Sequence, residues 1–253
     1  MRVTRVALRA EVASFRHPFF VTGRQPSATF PPPSTVHGQC ACALGEWPAP
    51  EDFFFGLHFT YQARAQDLEH QHLVQALGAR ARTTISGRAG VPEQRATTQG
   101  SIQPVPRDFL FGCALTLYLP HKVGAAFRSP AFVLTMGRSQ DLAEVVAVDA
   151  IELERSARVR LEHTLLPRRL RPCLRFGTTV LLSRYVSPPP ERQAEFAQYV
   201  GLHDAVYAGA GAEPNRALLD VPGVDLEDLW VDPTAPMDDD GFPRGVWLHR
   251  LRD

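Results

Sequence analysis

Residues 13–38 read ASFRHPFFVTGRQPSATFPPPSTVHG, and their types suit holding an anion better than cutting a bond. Arg16 and Arg24 each offer a planar fork of donors that matches phosphate, and Phe15 offers a flat apolar face. Pro31, Pro32 and Pro33 cannot continue a strand ladder and hold the backbone extended. Ser34 and Thr35 are both good N-cap residues, and a helical pattern follows through His37 and Gly38. The expectation is a stiff loop carrying an aromatic ring and arginines, pinned against a helix start whose free N–H groups suit a phosphate. The plain alternative is a proline-stiffened strand-to-helix connection with no ligand. A second candidate is Gly137-Arg138-Ser139: glycine lets backbones come close, arginine forks a phosphate and serine adds a donor. Here the plain alternative is an ordinary turn in which Arg138 pairs with Asp141.

Other chemistry finds little support. Asp238-Asp239-Asp240-Gly241 lacks the alternating ligands and distal glutamate of a calcium loop. His70 and His72 are two apart with no cysteine near. Cys40, Cys42, Cys113 and Cys173 form no CxxC pair and are read as reduced, buried thiols, so no metal and no cofactor is expected. Phosphate-loop, dinucleotide and nucleophile-elbow motifs are missing, which leaves no small-molecule substrate in view. Met1-Arg2-Val3-Thr4-Arg5 has no apolar stretch behind it and no run is long enough to span a bilayer, so a cytoplasmic protein without a membrane partner is expected.

The 253 residues carry no net charge, but the charge is clustered. Arg80, Arg82, Arg88, Arg95 and Arg107 stand against Glu93 alone over residues 80–107. Seven arginines stand against Glu162 over 155–175, and ten acids against Arg216 over 204–240. If these segments stay apart in the fold, each basic cluster becomes a face suited to a polyanion. Lys122 is the only lysine.

These residues must be positioned by a mixed set of elements. Val6, Leu8, Ala10 and Val12 alternate as a half-buried strand, and Val36, Cys40, Ala43 and Leu44 have helical spacing closed by Gly45 and Pro48. Residues 53–64 alternate clearly, with Phe55, Leu57, Phe59 and Tyr61 on one side. Residues 65–106 lose regular apolar patterning and read as a long irregular insertion. A strand over 108–119, a short helix from Pro120 to about Arg128 and a strand over 131–136 follow. After them come strands over 145–153, 158–166 and 177–185 and a helix over about 191–200. The acidic tail has no clear pattern. The first part has the strand–helix–strand, strand–helix–strand order of an α+β, ferredoxin-like (RRM-like) βαββαβ domain.

The segments ASFRHP and PPPSTVHG, running into a small-residue helix, resemble the opening of the fifth CRISPR-associated protein family, within the repeat-associated RNA-binding superfamily. The likeness is most specific over residues 5–45, with a second match over 131–142. It implies a ferredoxin-like RNA-binding domain over 1–142, with a β-hairpin thumb inserted at about 67–106, and a smaller, mostly β extension over 143–253. It implies a non-catalytic subunit that caps the 5′ handle of crRNA in a type I surveillance (Cascade) complex. Its partners would be the backbone and large subunits, with target DNA near the PAM left open. The implied RNA contacts are Phe15, Arg16, Arg24, Pro33, Ser34, Thr35, His37, Gly38, Arg80, Arg82, Arg88, Arg95, Gly137, Arg138 and Ser139. One branch of the family cuts repeat RNA without metal. For that chemistry Tyr61, His121 and Lys122 supply a base, an acid and a cation, although their order and spacing do not fit that branch well. A protein-docking module built on the proline loop remains the reading without RNA.

Overall fold

The computed structural model describes residues 1–17, 20, 23–76, 97–222 and 225–252. The alternation Val6, Leu8, Ala10 produces strand β1 (Arg2–Ala13), with these three side chains buried. Two short strands, β2 (Phe15–Arg16) and β3 (Ser27–Ala28), pair across the loop that follows. Helix α1 (Pro33–Leu44) then lays Val36, Cys40 and Ala43 on the core. Gly45, at φ 84°, ends it by donating its N–H to Ala41 O at 2.9 Å.

Ser34 and Thr35 are not the caps of α1. Pro32 holds the cap position and Pro33 the first helical one, where a fixed φ and a missing N–H cost nothing. The amides of Thr35 and Val36 both donate to Pro32 O, at 2.8 and 3.2 Å. The helix start therefore offers an outside anion fewer donors than its sequence suggests.

Strands β4 (Phe54–Thr60), β5 (Ala63–Ala76) and β6 (Thr97–Leu119) come next. Helix α2 (His121–Ala125) runs into a 3-10 turn over Ala126–Arg128, and β7 (Glu144–Glu152) follows. The main sheet has the order β7-β1-β6-β4, every neighbour antiparallel. Residues 131–136 do not form its last strand. The amides of Ala131 and Phe132 instead donate to the end carbonyls of α1, Ala43 and Cys42, at 3.1 and 3.0 Å, while Leu134 and Met136 anchor in the core. The sheet edge is supplied by β7, which begins two residues past the expected boundary at 142.

The described arms of the insertion, up to residue 76 and from residue 97, are regular strand. β5 pairs with β6 from Ala63 opposite Phe111 out to Ala76 opposite Thr97, a two-stranded ribbon leaving the sheet. Its apolar signal is weak because Leu68 and Ile102 on its arms are exposed. Arg80, Arg82, Arg88 and Arg95 lie outside the described residues.

Beyond β7 the regular elements are short strands, apart from a 3-10 turn over Arg168–Cys173. β8 (Val159–Leu161), β12 (Val206–Ala208), β13 (Leu229–Asp232) and β14 (Arg244–Trp247) form one sheet. β9 (Thr164–Pro167), β10 (Thr178–Val186) and β11 (Ala194–Leu202) form another. The expected helix over 191–200 is β11, whose outward residues alternate too weakly with Tyr199, Val200 and Leu202 to declare a strand. β15 (His249–Arg250) returns to pair with β4. Leu165, Leu182, Tyr185, Tyr199 and Leu251 share one core with β1, α1 and β4. On the opposite face Val246 and Leu248 cover Val3, Tyr118 and Ile151. There the buried Asp232 accepts from Tyr118 OH at 2.9 Å, Arg5 Nη1 at 3.1 Å and Thr234 N at 2.9 Å.

His58 on β4 faces this covering layer. Burial, followed by Arg244, His163 and Arg160, pushes its pKa down to about 3 from an ordinary 6.5. Burial lowers His37 and His203 as well. Between pH 6.5 and 3 the unfolded chain binds a proton at His58 that the folded chain does not. Folding stability is thus full above pH 6.5 and falls as the pH drops, by up to about 1.4 kcal/mol per pH unit for this group. Denaturant unfolding between pH 7.5 and 4.5 should show the decline, with a shallower slope in His58→Gln.

Candidate functional site

Two adjoining cavities lie where the loop after β1, the start of α1 and the turn after Met136 meet. The smaller, about 350 Å³, is lined by Arg16, Arg107 and Arg138 with Ser14, Thr35, Gly137 and Ser183. The larger, about 450 Å³, runs along the outer side of α1 past Ser34, Thr35 and Gly38 and is flanked by Trp47, Phe132 and Arg192. Thr35 and Gly137 line both. The structure therefore gathers Arg16, Ser34, Thr35, Gly38, Gly137 and Arg138 in one place.

Each is positioned by local constraints. Arg16 is exposed at the end of the short β2–β3 pair. Ser34 Oγ lies 2.5 Å from Ser183 Oγ, which ties the helix start to β10. Gly137, at φ 117°, lies so close to the Ser14 carbonyl that any Cβ there would collide with it. Asp141, fully buried, accepts Arg138 Nε and Nη2 at 3.0 Å and orients the guanidinium. The turn is thus both an ordinary Arg–Asp turn and one wall of a basic cavity.

Other expected residues serve the scaffold. Phe15 borders the smaller cavity but is 2% exposed and packs edge-on to Phe59 at 5.6 Å, so its ring is part of the core. His37 is 1% exposed, places Nε2 2.9 Å from Pro48 O, and sits among Trp47, Phe53 and Tyr185. Pro33 is buried, Ser139 is exposed and lines neither cavity, and Arg24 forks onto Asp108 at 3.0–3.1 Å. Burial alone would raise Asp108, but donors from Arg24, Arg64 and Gln66 hold it below the usual carboxylate range.

Tyr61, His121 and Lys122 do not converge. Thr60 stands opposite Ala114 on β6, whereas His121 follows Leu119, a separation of more than about 15 Å along the strand. Tyr61 packs on Phe59 and His203, and His121 Nδ1 lies 2.9 Å from Thr4 Oγ1.

Part of the basic cluster over 155–175 is taken up by the acidic tail that folds onto it, while Arg168 and Arg175 are exposed. Arg160 pairs with Glu162 at 3.1 Å and Asp238 at 3.7 Å, and Arg169 with Asp228 at 3.1 Å. Arg155, Arg158 and Arg169 lie over the rings of Trp230, Phe242 and Trp247. Arg107, Ser183 and Arg192 join the cavities without a sequence signal of their own. Only Arg107 could have been singled out, as the last member of its cluster and next to a strand start. Among the described residues no group of three or more histidines, cysteines or acids could hold a metal, and no helix is long and apolar enough to cross a membrane.

Gly137→Ala should force the turn away from Ser14. We expect a loss of about 2 kcal/mol, read as a lower melting temperature, and a disturbed Arg138 position even where the protein still folds.

A family model described as CRISPR-associated protein (Cas5) matches residues 5–185. No curated protein matches the chain. Among solved structures it is similar to one described as a CRISPR RNA-guided surveillance complex, with 12% identity and a TM-score of 0.51 over 85% of this chain and 95% of that one. It is also similar to a CRISPR protein from Archaeoglobus fulgidus, with 12% identity and a TM-score of 0.43 over 84% and 98% of the two chains. A further likeness is to a Type III-B Cmr-beta complex, with 8% identity and a TM-score of 0.43 over 82% and 86%. With more than half of its length matched by the family model, the chain belongs to the CRISPR-associated Cas5 family.

Proposed function

We propose that this protein is a non-catalytic subunit of a type I CRISPR surveillance complex that binds the 5′ handle of crRNA at the smaller cavity. The observation that carries the reading is the convergence of Arg16, Arg107 and Arg138 on one cavity beside Thr35 and Gly137. Three arginines lining a space of about 350 Å³, room for a phosphate with its ribose, suit a ribose-phosphate backbone. The larger cavity, open along α1, gives the strand a path onward. The order β7-β1-β6-β4 with a helix after β1 and another after β6 supports a ferredoxin-like arrangement, a common platform for RNA. The β5–β6 ribbon is the thumb of this reading, directed at the backbone subunit. The large subunit and target DNA near the PAM would lie beyond it. One similar structure is an RNA-guided complex by its description, which agrees with a cytoplasmic ribonucleoprotein. The separation of Tyr61 from His121 and Lys122 removes the most obvious set for metal-free cleavage.

The test is a native gel with end-labelled CRISPR repeat RNA in EDTA, beside a denaturing gel of the same samples. The wild type should shift the RNA without cutting it. Arg16→Ala and Arg138→Ala should each weaken binding by about tenfold and flatten its dependence on salt, while His121→Ala should bind normally. A discrete cut abolished by His121→Ala would identify a processing nuclease instead. Normal affinity in both arginine variants would refute the site.

A further inference from the structure

The smaller cavity already has an anion beside it, and that anion belongs to the ribbon. Glu69 on β5 is ion-paired with Arg107 Nε on β6, and its Oε2 lies 4.0 Å from Arg138 Nη1. Arg107 and Arg138 line the cavity, and Glu69, which is not among its lining residues, contacts both. The two carboxylates that meet Arg138 differ in kind. Asp141 is fully buried and accepts Nε, Nη2 and the backbone N–H of Arg138, so it is fixed. Glu69 has a side chain 32% exposed, on three rotatable bonds, and leaves Arg138 Nη1 without a hydrogen bond. Two guanidiniums this close repel without a counter-anion, and a carboxylate and a phosphodiester compete for the same fork of donors.

Resting on the reading that this cavity takes an RNA phosphate, we propose that Glu69 is an internal counter-anion that the phosphate displaces. Before RNA enters, Glu69 neutralises Arg107 and Arg138 and bridges the ribbon to the turn at Arg138. When a phosphodiester enters, the two arginines turn their free donors to it and Glu69 swings to water. Filling the cavity thereby releases the ribbon from that turn. The cavity and the ribbon are coupled through one side chain. Glu69 also sets affinity, because an incoming phosphate must outcompete it.

The experiment titrates end-labelled repeat RNA with the full chain, comparing wild type, Glu69→Gln, Glu69→Ser, Arg16→Ala and Arg138→Gln at several salt concentrations. Both Glu69 variants should bind about two- to fivefold tighter. Their logarithmic salt slope should steepen by about 0.7, as one more cation meets phosphate. The gain should vanish when Glu69→Gln is combined with Arg138→Gln. Affinity equal to or below wild type in both Glu69 variants overturns the proposal. If Arg16→Ala still weakens binding there, the capping reading stands without it. If the wild type binds no RNA, the capping reading fails and this inference fails with it.

Discussion

The arrangement around the cavity depends on one buried carboxylate, Asp108, at the point where β6 leaves the sheet to become the ribbon. Its side chain accepts from Arg24, Arg64 and Gln66, and its own N–H donates to Gln25 O at 3.0 Å. Ser14 Oγ donates to its carbonyl at 2.8 Å. The end of β1, the loop before α1 and both ribbon strands are therefore tied to one residue. A buried charge held by several donors fixes position well, since removing any partner exposes the cost of leaving it unpaired. Arg107, the neighbour of Asp108, is directed to the opposite side, into the cavity. Scaffold and site thus alternate along a single strand.

Electrostatics sort in the same way. A chain with no net charge can still offer a basic cavity if its other charges cancel locally. Here the tail acids and the 155–175 arginines meet across β8, β13 and β14, with indole and phenyl rings covering three guanidiniums. Asp108 occupies Arg24 and Arg64, and Glu195 occupies Arg184 and Arg252. At the cavity, by contrast, Arg16 is exposed, while Arg107 and Arg138 are held by Glu69 and Asp141. Which arginines are available to a ligand is decided by packing and pairing, not by local density in the chain.

The alternation of Val6, Leu8 and Ala10, the helical spacing from Val36, and the run Phe55, Leu57, Phe59 were enough to locate β1, α1 and β4, because burial on one face writes itself into the period of the sequence. Gly137 and Arg138 were legible too, since few residues allow so close an approach or such a fork. Where patterns come from contacts distant in the chain, local reading fails. The ribbon arms leave Leu68 and Ile102 exposed, so burial imposes no clear alternation on them. Ala131 and Phe132 spend their amides on α1, and Met136 its amide on Asp141, rather than on a neighbouring strand. Phe15 and His37, polar or aromatic enough to suggest a ligand, are enclosed by Phe59 and by Trp47, Phe53 and Tyr185.

By itself, the sequence determined β1, the body of α1, β4, the glycine turn and the family, each a matter of residues near one another in the chain. Only the tertiary structure decided that Arg107, Ser183 and Arg16 share a cavity, that Arg160 and Arg169 of the basic segment pair with tail acids, and that Glu69 faces Arg138. Those outcomes depend on register and on the packing of separate sheets, which bring together groups that no local spacing relates.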